Sequence, residues 1–324
     1  MTKTIIDFYA YRAKVNIDAH RQALQAMFAK VDAPLYLQPK KGGWRGYTSS
    51  YTVYLGDHTI GMVAEGGEYQ RGWSYVSLTG QGCSWIRDWD KAQEINCNMY
   101  MYQAKRVDIA HDTSNKNCNF DSTLGAYRAG GFQNGQTSPK CEPMKPERPQ
   151  DSAIIRIGNR ERDKYFRWYE KGKEQLGPEI AALDEKEGYD ESKWTDHTTA
   201  MVRNGKVVEI RTLDWVRHEV EFKPKTAPLP QDLISKRDQY FAGAYPYLGT
   251  LLDADPLSFT LRTGARPKLD LELALAAVRR QYGNTIFTAL HAHGGDINAV
   301  WDKICGTKHN DRLLDAGVLL VDHE

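Results

Sequence analysis

The chain has 324 residues, 41% of them hydrophobic, and 43 Lys and Arg stand against 42 Asp and Glu for a formal charge of +1. That composition suits a globular fold and excludes a collagen-like or disordered chain; no run reaches the ~20 apolar residues of a membrane span, and no overall basic excess advertises nucleic acid, so any such partner must meet a local basic face. Five cysteines with no Cys-x-x-Cys pair, no Asn-x-Ser/Thr site, and Asp7 standing where a signal peptide would continue its apolar stretch predict a reduced cytoplasmic protein, with neither a disulfide framework nor a cysteine zinc site.

Along the chain, residues 17–31 space Leu24, Met27, Phe28 and Val31 as one helical face, with Asp18 a plausible N-cap. Tyr-, Val- and Thr-rich runs follow: a hairpin of 51–55 and 59–63 around Gly56-Asp57, then a strand over 73–78. Helical spacing returns over 84–102, then a strand at 105–112, and a Gly- and Asn-rich loop at 115–138. Pro139, Pro143, Pro146 and Pro149 predict an extended connection. Strands are expected at 154–158, 165–171, 207–211 and 215–222, and helices at 231–245, 267–282 and 285–305. The three prolines of 223–230 suggest the boundary between a sheet-based domain, 1–228, and a helical C-terminal region, 229–324. The fold class is α+β: a mainly antiparallel sheet with flanking helices, followed by helices.

The standard nucleotide loops are absent, and Gly80-Gln-Gly-Cys83 lacks the third glycine of a dinucleotide turn. Two expected strands each carry acids on one face: Arg106, Asp108 and Asp112 on the first, Arg217, Glu219 and Glu221 on the second. Were the strands neighbours, the carboxylates would converge on one patch, where crowding favours a hard cation such as Mg²⁺ or Mn²⁺; a solvated face paired with Arg106 and Arg217 is the alternative. Between them, residues 155–173 interleave Arg156, Arg160, Arg162, Lys164, Arg167, Lys171 and Lys173 with aromatics, as in a surface that follows phosphates and stacks bases. A strand over 165–171 sets Tyr165, Arg167, Tyr169 and Lys171 on one face, where flanking cations favour a Tyr169 phenolate. His291 and His293, two apart in a helical setting, share no face and make a poor metal pair.

Four blocks in series carry a family resemblance: Val76-Ser-Leu-Thr-Gly-Gln-Gly-Cys83, Lys105-Arg-Val-Asp-Ile-Ala-His-Asp112, Ile155-Arg-Ile-Gly-Asn-Arg160 through Arg167-Trp-Tyr-Glu-Lys-Gly-Lys-Glu174, and Trp215-Val-Arg-His-Glu-Val-Glu-Phe222. Over roughly residues 50–225 the chain resembles the replication initiation factors of rolling-circle plasmids and filamentous phages. The resemblance implies an origin-specific, metal-dependent DNA nickase and strand transferase, in which a tyrosine stays joined to the 5′ phosphate and frees a 3′-OH primer. Carried over by position, Tyr169 is the nucleophile, and Asp108, Asp112, Glu219 and Glu221 are the metal candidates. Arg167, Lys171 and Lys173 hold the phosphate, with Arg160, Arg162 and Lys164 as further DNA contacts. The implied partners are double-stranded origin DNA, the nicked single strand, a host helicase and polymerase, and a second copy of the chain, in a bacterial cytoplasm and away from membrane. A non-catalytic DNA-binding regulator derived from such an initiator is the alternative.

Overall fold

A computed structural model describes residues 3–133, 138–148, 151–187, 198–203, 206–224, 228–257 and 271–308. The chain divides into two compact units, Met1–Thr260 and Leu261–Glu324. The first is built on ten strands: β1 (Ile5–Ala13), β2 (Leu35–Pro39), β3 (Ser49–Leu55), β4 (His58–Glu65), β5 (Ser74–Leu78), β6 (Gln103–Ser114), β7 (Cys141–Met144), β8 (Ile154–Ile157), β9 (Lys164–Tyr169) and, later in the chain, β12 (Trp215–Phe222). They form one sheet in the order β2-β3-β4-β5-β1-β6-β12-β9-β8-β7, antiparallel at every junction. Two further strands, β10 (Thr198–Arg203) and β11 (Lys206–Thr212), pair only with each other. The fold is the α+β class read from the sequence.

β1 lies at the centre of the sheet yet gives no clean alternation in the sequence. Its ladder with β6 shifts register between Ile6 and Phe8 and again between Ala10 and Tyr11, which breaks the period of two and leaves Asp7 at the first irregularity. The expected strand at 165–171 stops at Tyr169, and Lys171 opens a helix, α5 (Lys171–Glu187).

The helices of this unit are shorter than the periodicity suggests. The first, α1 (Ile17–Met27), is capped by Asn16, whose side chain accepts from the Ala19 amide, rather than by Asp18. The 84–102 stretch is two helices, α2 (Gly80–Trp85) and α3 (Trp89–Cys97), separated by the Asp88 cap. Within the expected loop at 115–138, Asn119 caps α4 (Phe120–Arg128). The expected 231–245 helix is reduced to α6 (Arg237–Ala242), followed by α7 (Pro246–Gly249).

One face of the sheet is the core. Trp168, Phe166, Phe222, Tyr9 and Tyr11 are fully buried on it. Phe132 fills the gap beneath α4, its ring 4.8 Å from Phe166 and 5.3 Å from Tyr245. Leu229, Leu233, Phe241 and Leu248 are buried in the same core, so the boundary at 228 suggested by the prolines falls inside the first compact unit. At about 25 cal/mol per Å² of apolar surface removed from water, these aromatics dominate the stabilisation. In the second unit, α8 (Leu271–Ala292) and α9 (Ile297–Ile304) are described, the first spanning what periodicity divides at about 283.

Candidate functional site

The other face of the sheet carries the chemistry, because the registers of β6, β12 and β9 align it. Glu221 pairs across the sheet with Asp108 and with Tyr165, Glu219 with Ala110 and Arg167, and Arg217 with Asp112 and Tyr169. One period-two face of each strand therefore meets the next, as the three sequence blocks require. The core face of the same strands takes Val216, Val220, Phe222 and His218. His218, between the Phe166 and Tyr247 rings, is held neutral: burial and the neighbouring His111 lower its pKa to about 3. It belongs to the packing.

Every carboxylate on this face has a cationic neighbour. Arg106 Nη2 lies 2.5 Å from Asp108 and 2.7 Å from Glu221. Arg160 and Lys223 also reach Glu221, and Arg167 binds Glu219. Arg217 is 4% exposed and grips Asp112 with both Nε (2.6 Å) and Nη2 (2.7 Å), while Nη1 donates to Asp7 at 2.7 Å. Asp7 escaped the sequence reading because it sits in the irregular part of β1; the signal that finds it is Gly80. A Cβ at Gly80 would come within 2.8 Å of the Asp7 carboxylate and 2.9 Å of its carbonyl, so the start of α2 can pass over Asp7 only as glycine. Gly82 likewise meets the Ile60 carbonyl. The Gly80-Gln-Gly-Cys83 block is thus a close-packing device beside the site.

Tyr169 stands at the end of β9, 8% exposed, and its hydroxyl donates to Glu219 Oε2 at 3.1 Å. Burial and the Glu219 charge push its pKa well above the ordinary phenol range, with Arg217 opposing. This corrects the expectation that flanking cations favour a phenolate: Arg167 is committed to Glu219, and Lys171, whose Nζ lies 5.5 Å from the Tyr169 ring centroid, pairs with Glu174. The resting nucleophile candidate is a neutral phenol with a carboxylate acceptor in place.

Asp108 and Glu219 are shifted in opposite directions. Burial drives the Asp108 carboxyl well above the carboxylate range despite Arg106. At Glu219 burial acts the same way but is outweighed by the charge and hydrogen bond of Arg167, a hydrogen bond from Asp108 and the Arg217 charge, so its pKa falls. Neither oxygen of the buried Glu221 makes a hydrogen bond of good geometry, although cations lie at ion-pair distance. The face thus sets Glu221, lacking such a bond, beside Asp108, whose charged form burial disfavours.

The four metal candidates are therefore unequal. Glu221, whose oxygens have no hydrogen bond of good geometry, faces Asp108 across Arg106, which itself binds both Asp108 oxygens, so a hard cation at this pair would have to displace that guanidinium. Glu219 has both oxygens engaged, by Arg167 and Tyr169, and Asp112 is held by Arg217. Among the described residues no group of three or more His, Cys, Asp and Glu side chains is gathered for a metal. His291 packs against Phe287, and His293 Nε2 faces the Lys303 ammonium at 3.1 Å, which suits no cation.

The basic candidates divide too. Arg160 is 55% exposed at the rim beside Glu221, and Arg162 is exposed. Lys173 pairs with Glu170. Lys164, expected among the DNA contacts, faces the opposite way: its ammonium donates to the Ala244 carbonyl and lies 4.4 Å from the Tyr245 ring centroid, and burial lowers its pKa to about 8. It is one residue out of phase with Tyr165, Arg167 and Tyr169.

Residues 102–194 match the family described as replication initiation factor. The match covers under a third of the 324-residue chain and lies wholly within the first compact unit. The segment contains β6, α4 and β7 to β9, and with them Asp108, Asp112, Arg167, Tyr169, Lys171 and Lys173. Among solved structures, a rolling circle replication initiator protein from Geobacillus stearothermophilus is similar, at 17% identity over 74% of this chain and 83% of that one, with a TM-score of 0.48. No curated protein matches the sequence. Among the described residues, no helix is long and apolar enough to cross a membrane.

Proposed function

We propose that this protein is a replication initiation factor of the rolling-circle type that nicks origin DNA through Tyr169. The observation that carries the reading is the hydrogen bond from the Tyr169 hydroxyl, within the matched segment, to Glu219 on the neighbouring strand beyond it, at the edge of a buried acid face. In the proposed step the phenol oxygen attacks the scissile phosphorus and passes its proton to Glu219. The bond from phosphorus to the 3′ oxygen breaks, and that oxygen leaves and takes a proton from solvent. The 5′ phosphate stays esterified to Tyr169 while the 3′-OH is free to prime synthesis. Because the phenol is neutral at rest, proton transfer accompanies attack, the role of a general base within hydrogen-bond reach. Arg167 fixes the acceptor carboxylate, and through Glu219 the tyrosine. The ester conserves the bond energy, so strand transfer needs no nucleotide, in keeping with the missing nucleotide loops.

Asp108 and Glu221 are the side chains that would hold Mg²⁺ or Mn²⁺, in place of the Arg106 guanidinium between them, and the ion would supply positive charge for the non-bridging phosphate oxygens. Arg160 at the rim and Lys171 beside the Tyr169 ring are the nearest cations for the strand.

The test is incubation of the protein with Mg²⁺ and supercoiled DNA carrying its origin, followed by detergent denaturation. The expected product is a nicked circle with protein attached at Tyr169. Tight, chelator-insensitive binding with no adduct would replace this reading by a DNA-binding regulator.

A further inference from the structure

The cations of the acid face are neutralised by their carboxylates and have little charge left for phosphates. Unneutralised cations lie elsewhere on the same side of the sheet, beyond β1. Arg12 and Tyr75 are register partners of β1 and β5, and Trp73 precedes β5 with the same phase as Tyr75. The Arg12 guanidinium sits 4.1 Å from the Trp73 ring centroid, and the Lys14 ammonium 5.6 Å from it. Above Tyr75 folds a tight turn, Trp44-Arg45-Gly46-Tyr47. Trp44 and Tyr47 exchange both backbone hydrogen bonds, with φ of +52° at Arg45 and +84° at Gly46, the primed turn that a two-residue hairpin demands. The turn sets Trp44 at 5.5 Å from Tyr75, centroid to centroid, with Arg45 4.5 Å from the Trp44 ring centroid and its Nη1 3.4 Å from the Tyr75 hydroxyl. The preceding Lys40 and Lys41 are exposed.

Arg12, Lys14 and Arg45 have no carboxylate partner among the described residues. Positive charge without counter-ions, interleaved with partly exposed aromatic rings, is complementary to a phosphate backbone whose bases are unstacked; a duplex keeps its base faces hidden from such rings. The strip joins the acid face through Arg106, whose guanidinium stacks 4.3 Å from the Phe8 ring centroid in β1 and whose charge, with that of Asp108, acts on the Tyr75 phenol.

We infer that Trp44, Arg45, Tyr75, Arg12, Trp73 and Lys14 form a binding strip for single-stranded DNA, leading away from Tyr169. That the strand is the one flanking the nick rests on the nicking reading; binding itself does not.

The test is fluorescence anisotropy with the full chain, using a labelled oligothymidylate and a duplex of equal length. Trp44→Ala and the exposed-loop variant Arg45→Gln are each expected to weaken oligothymidylate binding by at least about fivefold, the scale of one lost base stack, with a shallower salt dependence for Arg45→Gln. Lys30→Gln, a charge removed elsewhere, is the comparison and is expected to bind as wild type. Wild-type affinity in both strip variants, an equal loss on duplex and single strand, or an equal loss in Lys30→Gln would overturn the inference. The adduct assay on the wild-type chain is read separately: strip variants that lose oligothymidylate binding while the wild-type chain forms no adduct keep this inference and overturn only the nicking reading.

Discussion

Glu219 holds Tyr169 and Arg167 at once, the phenol on Oε2 at 3.1 Å and the guanidinium on Oε1. A carboxylate pinned by a guanidinium cannot rotate away from the hydroxyl it serves, so the tyrosine is oriented through its neighbour strand. Tyr169→Phe should abolish the covalent adduct and the nick while DNA binding persists, read by gel shift beside the detergent assay. Retained nicking in that variant would move the nucleophile to another tyrosine.

Glu219→Gln keeps the shape but removes the acceptor charge. Loss of a positioned general base costs about 10²- to 10⁴-fold in rate, so nicking should fall by that much with DNA affinity intact. The measurement is single-turnover cleavage of a suspended origin strand. A rate within error of wild type would assign the proton to another group.

Metal binding discriminates among three of the four acids. If Asp108 and Glu221 hold the ion, Asp108→Asn and Glu221→Gln should each weaken Mn²⁺ binding, followed by paramagnetic resonance of the free ion. Asp112→Asn should leave it unchanged, since Asp112 serves Arg217. Equal losses in all three would restore Asp112 to the ligand set.

The Arg217 triad is expected to be structural. Arg217→Met strands Asp7 and Asp112 beside a buried apolar side chain, and breaking such a buried pair costs about 3–5 kcal/mol. Because both acids keep some solvent access, at 23% and 32% exposure, the lower end of that range applies. Urea unfolding checks it, and unchanged stability would show that the two acids find water instead.

The acid face was legible because it needs only period-two alternation on β6 and β12 and their adjacency. Pairing with Arg106 and Arg217 is already one of the two readings of that alternation; what the sequence could not show was that the paired face is buried rather than solvated, and that Arg167 reaches Glu219 and Arg217 reaches Asp7, 52 and 210 residues away in the chain. Asp7 was hidden by the register shift in β1, and β1 itself by the same irregularity. Lys164 was misplaced for a different reason: composition grouped it with the basic residues around it, although strict alternation from Tyr165 already sends it to the core side. The short helices α2, α3 and α4 depend on caps and on contacts with the sheet, so a helical period read over 84–102 overshot the Asp88 break.

Acid sensitivity should come in part from His20. It is fully buried, its Nε2 2.6 Å from the Ser74 hydroxyl, which itself donates to the Ala13 and Val15 carbonyls. Burial lowers its pKa from 6.5 to about 4, so the native state resists a proton that the unfolded chain accepts. Between those values the unfolded state binds more protons. Stability is therefore undiminished above about pH 6.5, falls as pH drops toward 4, and levels off below, by at most roughly 3 kcal/mol from this residue. Urea midpoints measured from pH 7 to pH 4 should show the decline. His20→Gln, which cannot titrate, should start less stable at pH 7 and lose less across the window; an equal slope in the variant would assign the acid sensitivity to other groups.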